Sequence, residues 1–416
     1  MVIAREQYYK MIQAAFRSLP IVALLGARQV GKTTIMKNVP LTKQSVYLNG
    51  QDPDVQVLFQ RLPDISEYLK INLNKELNGY LLLDEFQFIP NISTMLKLLT
   101  DQNSSLKILC SGSSSLGIFE ALEESLTGRL RIIEVFPLSF PEYILFSDEE
   151  LYRIYQRFDL DTKDPVVHPE LKLKFDEYLL FGGFPRVALT TDREEKVELL
   201  NDIYQSYLLK DVRQYVRQMD VIGFNKLVKL LSAQISNLAN VNELSRISGL
   251  NYKKCEEYLF LLEQMYIIKL APPHITNKRK SISKMKKVYY TDIGLRNLIY
   301  NNFNEMEFRV DNGMIFENYV FNTLANKIPR YGQLTFFRTI NGTEIDFIVD
   351  ILSQKTAFEV KWKQFEEPLS MRKLKQVAVS IDCREIFLIN RNLNAHAGNL
   401  HYVQGYLLDK WQPRRL

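Results

Sequence analysis

Cysteine is scarce in this chain: the 416 residues hold only Cys110, Cys255 and Cys383. They are far apart and form no C-x-x-C pair, which excludes a cysteine zinc site and a disulfide framework. Three such thiols fit buried positions in a reducing interior. Histidine is nearly as rare, with four residues, and His396 and His401 stand five apart, a poor spacing for two ligands on one helix face. No apolar run is long enough to span a bilayer, and Met1-Val2-Ile3-Ala4-Arg5-Glu6-Gln7 lacks the apolar core of a signal peptide. A soluble, cytoplasmic chain with no membrane partner is expected. The formal net charge is only +5, so any signal for a polyanionic partner must be local.

What is present is ordinary globular material, 46% hydrophobic and 24% charged, in a length that suits about two to four domains. The most informative stretch is the apolar run Ile21-Val22-Ala23-Leu24-Leu25 followed by Gly26-Ala27-Arg28-Gln29-Val30-Gly31-Lys32-Thr33-Thr34. It fits strand, G-x-x-x-x-G-K-[ST], helix, a pattern with a mechanism. The glycines let backbone N–H groups face a phosphate, Lys32 reaches the outer phosphates, and Thr33 offers a hydroxyl to Mg²⁺. ATP with Mg²⁺ is the expected ligand.

Short apolar strands alternate with helical segments after this loop, around Ser45–Asn49, Tyr80–Leu83, Lys107–Ser113 and Arg131–Phe136. That alternation argues for an α/β unit with a parallel sheet covered on both faces. Ligands of such sheets sit at the carboxyl ends of the strands. Asp84 at one such end is placed to hold the Mg²⁺ shell, and Glu85 beside it to polarise a water. Ser113 or Ser111, at the end of the next strand, is a candidate to orient that water.

This order of elements resembles the AAA-type ATPases. The resemblance implies an arginine finger before the last strand, where Ser125-Leu126-Thr127-Gly128-Arg129-Leu130-Arg131 lies; Arg129 matches it better than Arg131. Such a finger commonly acts from a neighbouring subunit, so a homo-oligomer is implied. The alternative for Arg129 is a surface ion pair with Glu123 or Glu124. Phe136-Pro137-Leu138-Ser139-Phe140-Pro141 marks a domain edge, and Ser147 to Pro169 reads as a surface helix and loop. In Phe181-Gly182-Gly183-Phe184-Pro185-Arg186, glycines and proline punctuate two helices, and likeness to AAA-type lids makes Arg186 a candidate nucleotide sensor. Glu194 to Gln218 reads as a long amphipathic helix.

Val241 to Leu250, a helix ending at Gly249, and Tyr252 to Met265, capped by Asn251, have the form of a helix-turn-helix. Two β-rich segments, Tyr266–Ala271 and Val288–Thr291, would complete a winged helix. Between them, from 274 to 287, lie Lys278, Arg279, Lys280, Lys284, Lys286 and Lys287 with no acidic residue. Such a run suits salt-dependent contact with the DNA backbone. It also suits a solvated charge run, and winged helices dock proteins as well.

In the last third, a helix from Gly313 to Ile328 carries Glu317 on the face of Val320, Phe321 and Leu324, a costly place for an idle carboxylate. A turn at Asn341-Gly342 leads into Glu344-Ile345-Asp346-Phe347-Ile348-Val349, and Ala357-Phe358-Glu359-Val360-Lys361 follows. Strand alternation puts Glu359 and Lys361 on one face beside Asp346. Carboxylates sharing a divalent ion next to a lysine suit metal-assisted phosphodiester cleavage. The segment resembles the PD-(D/E)xK nuclease fold, which implies Asp346, Glu359 and Lys361 as catalytic residues and Glu317, Asp346 and Glu359 as metal ligands.

The whole order resembles a large family of prokaryotic AAA-type ATPases, with matching blocks at Gly182–Pro185, Tyr290-Thr291-Asp292-Ile293-Gly294-Leu295 and Glu359-Val360-Lys361. It implies an ATPase core over 1–145, a helical lid over 146–235, a winged helix over 236–300 and a restriction-endonuclease-like α/β domain over 301–416. The function expected is ATP hydrolysis controlling a DNA-binding, DNA-cleaving half. The alternative is a nucleotide-switched regulatory or protein-binding ATPase whose nuclease-like part is an inactive scaffold.

Overall fold

A computed structural model describes residues 3–113, 125–162, 168–206, 215–274, 285–338 and 343–413. The chain divides into two compact units: Met1–Phe136 with Gln264–Tyr266, and Pro137–Glu263 with Ile267–Leu416. The first boundary falls at the Phe136-Pro137 step that opens the proline-marked edge.

The first unit is built on five parallel strands: β1 (Ile21–Gly26), β2 (Ser45–Asn49), β3 (Tyr80–Asp84), β4 (Lys107–Ser113) and β5 (Leu130–Glu134), in the order β2-β3-β4-β1-β5. Every residue of β1 is buried, as expected for a strand covered on both faces. Helices α1 (Glu6–Phe16), α2 (Lys32–Asn38), α3 (Pro53–Leu58), α4 (Leu62–Asn72) and α5 (Ile92–Gln102) connect and cover the sheet. Ile65, Leu69, Leu96 and Leu99 of α4 and α5 join Ile21, Leu81, Leu83 and Ile108 in one apolar core. Register aligns Gly26 with Ser113 and Asn49 with Asp84, so the polar strand ends gather at one edge.

The second unit opens with helices α6 (Phe140–Ser147), α7 (Glu149–Tyr155), α8 (His168–Phe181), α9 (Pro185–Leu189) and α10 (Arg193–Ile203). The segment expected on the surface between Ser147 and Pro169 is partly core, because α7 buries Leu151 and Tyr155. The expected helix to Gln218 is α10 at its start, and residues 207–214 lie outside the described residues.

Next come α11 (Val221–Ala233), α12 (Val241–Ser248) and α13 (Tyr252–Gln264), then the antiparallel pair β6 (Ile268–Ala271) and β7 (Lys287–Tyr290). Asn240 caps α12 and Gly249 ends it in left-handed backbone, φ 78°. The Asn251 side chain accepts the Lys254 N–H at 2.9 Å, opening α13, which buries Cys255, Tyr258, Leu259 and Leu262 at helical spacing. Lys278, Arg279, Lys280 and Lys284 lie outside the described residues.

After α14 (Ile293–Tyr300) and α15 (Asn312–Ala325), a six-stranded mixed sheet closes the unit. Its strands are β8 (Gln333–Arg338), β9 (Glu344–Ile351), β10 (Gln354–Val360), β11 (Cys383–Asn390), β12 (Ala395–Ala397) and β13 (Leu400–Gln404), with α16 (Arg372–Ser380) packed on β11. Their order is β12-β13-β11-β10-β9-β8. The expected turn at Asn341-Gly342 lies outside the described residues.

Two sequence blocks that looked like separate signatures form one clasp. The Gly183 N–H donates to Asp292 Oδ2 at 2.7 Å, and Asp292 Oδ1 caps α14 by accepting the Leu295 N–H at 2.8 Å. A Cβ on Gly294 would stand 2.0 Å from the Phe181 carbonyl oxygen, so only glycine allows this approach. Among the described residues, no helix is long and apolar enough to cross a membrane.

Candidate functional site

The first polar centre lies where β1, β3 and β4 end. Gly26 has no room for a side chain, since a Cβ there would meet the Val135 carbonyl oxygen at 2.1 Å. Gly31, at φ 92°, turns the loop into α2 in a conformation that glycine adopts without penalty. Ala27, Arg28, Gln29 and Val30 fill the loop between them, and Thr34 follows Thr33 on an exposed turn of α2.

Lys32 is buried, and its ammonium donates to the carbonyls of Gly26 at 3.0 Å and Ala27 at 2.6 Å. Burial pushes it down to about 8, against the pull of Glu85 and Asp84. Thr33 Oγ1 donates to Asp84 Oδ2 at 2.7 Å, and the Tyr47 hydroxyl donates to the same oxygen at 3.0 Å. Asp84 Oδ1 accepts from the Ser111 hydroxyl and, at 3.1 Å, from the Glu85 N–H. Of the two serines considered, Ser111 touches Asp84, and the Ser113 side chain lies outside the described residues. Tyr47 is a member that sequence reasoning missed; alternation along β2 carried no hint of its hydroxyl's partner.

Glu85 takes left-handed backbone, φ 49°, just beyond β3, and its Oε2 accepts from Gln87 Nε2 at 2.5 Å. Such strain in a non-glycine residue costs about 1 kcal/mol or more and concentrates at functional sites. Arg129 pairs with Asp101 at 2.6 Å, both side chains about one-third exposed. That partner comes from α5; Glu123 and Glu124, the alternative partners, lie outside the described residues. Arg131 is exposed on β5, and Arg186 is exposed on α9 of the second unit.

A second polar centre lies wholly within the second unit. Glu317 of α15 accepts from Lys287 Nζ at 3.0 Å and from the Tyr289 hydroxyl at 2.7 Å. Lys287 Nζ also lies 2.5 Å from Glu344 Oε1. Lys287 was expected among the solvent-facing cations between 274 and 287; the structure buries it on β7 because these carboxylates supply its partners. Asp346 Oδ2 on β9 accepts the Val360 N–H at 2.8 Å, and Glu359 Oε1 on β10 pairs with Lys361 Nζ at 2.5 Å. Among the described residues, the buried Glu359 Oε2 has no hydrogen-bond partner.

Burial, reinforced by Asp346, pushes both Glu317 and Glu359 up to about 7, and burial raises Asp346 itself. For Lys287 burial acts downward, but Glu317, Asp346 and Glu344 outweigh it and hold the ammonium above its usual range. Lys361 is likewise raised, burial being outweighed by Glu359 and Asp346. The structure therefore brings Asp346, Glu359 and Lys361 together as the strand pattern predicts, with Glu317 nearby but engaged by Lys287. Among the described residues, no group of three or more His, Cys, Asp or Glu side chains is gathered to hold one metal ion. His396 and His401, cross-strand partners on β12 and β13, face each other with Nδ1 atoms 2.9 Å apart.

Residues 18–144 match the family model of an AAA domain. Residues 172–306 and 312–403 match two domains of unknown function, DUF8612 and DUF4143. The chain is 28% identical over 337 residues to an uncharacterized protein of Methanocaldococcus jannaschii, covering 79% of this chain and 72% of that one. It is 24% identical over 382 residues to an uncharacterized protein of Haemophilus influenzae, covering 86% and 87%. Among solved structures it is similar to a Walker-type ATPase of Pyrococcus abyssi, 13% identical with a TM-score of 0.49, covering 72% of this chain and 96% of that one. The first unit therefore matches an AAA domain, with the Gly26–Thr33 loop at the end of a strand in its five-stranded parallel sheet.

Proposed function

We propose that the first unit binds ATP with Mg²⁺ and hydrolyses it. The observation that carries this is the meeting of Lys32, Thr33, Asp84 and Glu85 at one edge of the sheet. The residues fit the ligand: a buried ammonium that donates to main-chain carbonyls of its own loop exchanges them for phosphate oxygens without a new desolvation cost. Mg²⁺ would be held by Thr33 and Asp84, and it supplies neutralisation of phosphate charge. Ser111 and Tyr47 orient the Asp84 carboxylate, and Glu85, beyond the strand, orients and polarises the attacking water. Glu85→Gln is expected to keep ATP affinity and to slow turnover about 10²- to 10⁴-fold in a steady-state phosphate-release assay. Wild-type turnover in that variant would remove Glu85 from the chemistry.

Arg129 we read as a finger for a neighbouring copy, held by Asp101 until an oligomer forms. If so, Arg129→Ala lowers turnover while ATP affinity holds, and wild-type turnover per chain rises with protein concentration. A concentration-independent rate, unaltered by Arg129→Ala, would leave Arg129 a surface ion pair. Arg186 is the candidate sensor in the second unit.

For the second unit we propose a winged helix, α12 and α13 with β6 and β7, followed by a nuclease-like sheet that acts on DNA. The support is the buried Glu359 Oε2, without a hydrogen-bond partner among the described residues, beside Asp346 and Lys361. A divalent ion would be held there by Asp346 and Glu359, and it supplies Lewis acidity toward a phosphodiester. Labelled DNA with Mn²⁺ or Mg²⁺ tests this: cutting should survive Lys32→Ala and vanish in Asp346→Ala. The second reading, a nucleotide-switched regulatory protein with an inactive scaffold, is favoured by Lys287, whose ammonium already occupies Glu317. No cutting with either metal, together with DNA affinity insensitive to salt, would select it.

A further inference from the structure

The two lysines of the acidic cluster are held very differently. Lys361 lies just past β10, with its side chain 43% exposed, and meets one carboxylate. Lys287 is 6% exposed and spans two carboxylates, Glu317 Oε1 at 3.0 Å and Glu344 Oε1 at 2.5 Å. Its backbone is clamped as well. Lys287 pairs with Ala271 of β6, and three residues on, the Asn318 side chain of α15 bonds both main-chain groups of Tyr290 at 2.8 Å. Asn318 is the neighbour of Glu317, so one helix turn fixes both the lysine's strand and the lysine's partner. The Tyr289 hydroxyl takes a further position on Glu317 Oε1.

On the other side of the cluster the situation reverses. Glu359 Oε2 is buried and has no partner among the described residues, and Asp346 Oδ2 accepts the Val360 N–H. A cation added to the cluster finds ready acceptors at Asp346 and Glu359, while beside Glu317 it meets the charge of an ammonium on Oε1 that is already desolvated and doubly paired.

We infer that Lys287 is the resident cation of the Glu317 side of this cluster and confines a divalent ion to the Asp346–Glu359 side. Glu317 then serves as the anchor of Lys287 and not as a metal ligand, and the centre takes one ion. The inference rests on the metal-dependent reading of this site. It also explains why a strand of the β6–β7 pair enters the sheet's acidic cluster: the lysine ties the two together.

Titration of the nucleotide-free full chain with Mn²⁺, followed by the electron paramagnetic resonance of free Mn²⁺, tests it; the component lost in Asp346→Asn reports this site. One Mn²⁺ per chain is expected, weakened less than about twofold by Glu317→Gln. Lys287→Met, which frees Glu317 and Glu344, is expected to tighten binding about tenfold or more, or to add a second ion. Glu317→Gln acting as severely as Asp346→Asn would overturn the inference, and this arm stands even if Lys287→Met fails to fold. A folded Lys287→Met with unchanged Mn²⁺ binding would overturn it too. If the wild type binds no Mn²⁺, the metal-dependent reading falls; binding gained by Lys287→Met would then keep Lys287 as the blocking cation, and none gained would end both.

Discussion

Lys32 depends on two main-chain carbonyls that exist only because the loop curls back between Gly26 and Gly31. The Gly26 position is as exacting as the lysine, for a methyl group there would meet the Val135 carbonyl oxygen at 2.1 Å. Gly26→Ala is therefore expected to destabilise the first unit by about 1–3 kcal/mol, read as a lower denaturation midpoint, while nucleotide affinity also falls. Ser111→Ala tests a finer point: Asp84 keeps its Thr33, Tyr47 and Glu85 donors but loses one hydroxyl. Turnover should fall about tenfold with the fold retained, since one hydrogen bond to a charged group contributes about 1.5–3 kcal/mol. At this scale the loop was legible because its motif is contiguous. The bond from Ser111 to Asp84 was not, because strand alternation cannot say which residue meets a carboxylate on the neighbouring strand. Lys287 was misread for a related reason: in sequence it closes a basic run, and its partners come from α15 and β9.

The clasp between the Gly182–Pro185 turn and the start of α14 shows what an element-level contact demands. Asp292 is wholly buried, and burial pushes it up to about 6 against the backbone N–H groups that favour its ionised form. The folded chain therefore holds this proton more tightly than the unfolded chain between about pH 4 and pH 6. That contribution is complete below this window and lost as pH rises through 6. Asp292→Asn has no proton to lose, so wild type should lose stability relative to the variant between pH 4 and pH 6. Parallel denaturation profiles across that range would contradict the assignment. Gly294→Ala should cost more than a routine helix substitution, since its Cβ would lie 2.0 Å from the Phe181 carbonyl oxygen. The helices and strands of this region were readable from apolar spacing and from caps such as Asn251 and Gly249. Their pairing was not, because Gly183 and Asp292 are joined by hydrogen bonds that no local pattern encodes.

Across the whole chain, the parallel sheet of the first unit was legible as an alternation of short apolar runs with helices, and the AAA match over residues 18–144 agrees with it. The second unit was legible as elements in order, while its interior remained hidden. One example is the buried set in which Arg296 and Arg309 both bind Asp311, at 2.5 and 2.8 Å. Removing Asp311 leaves two guanidinium groups buried without their anion, and Asp311→Ala should destabilise the second unit by about 3–5 kcal/mol in chemical denaturation.

Everything proposed for the first unit requires that Lys32, Thr33 and Asp84 bind a nucleotide. Calorimetric titration of the wild type and of Lys32→Ala with ATP and Mg²⁺ tests this most directly. A single site in the wild type, weakened roughly 100-fold or more by the substitution, is predicted from the loss of about 3 kcal/mol of charged hydrogen bonding. Equal ATP affinity in the two proteins would contradict it.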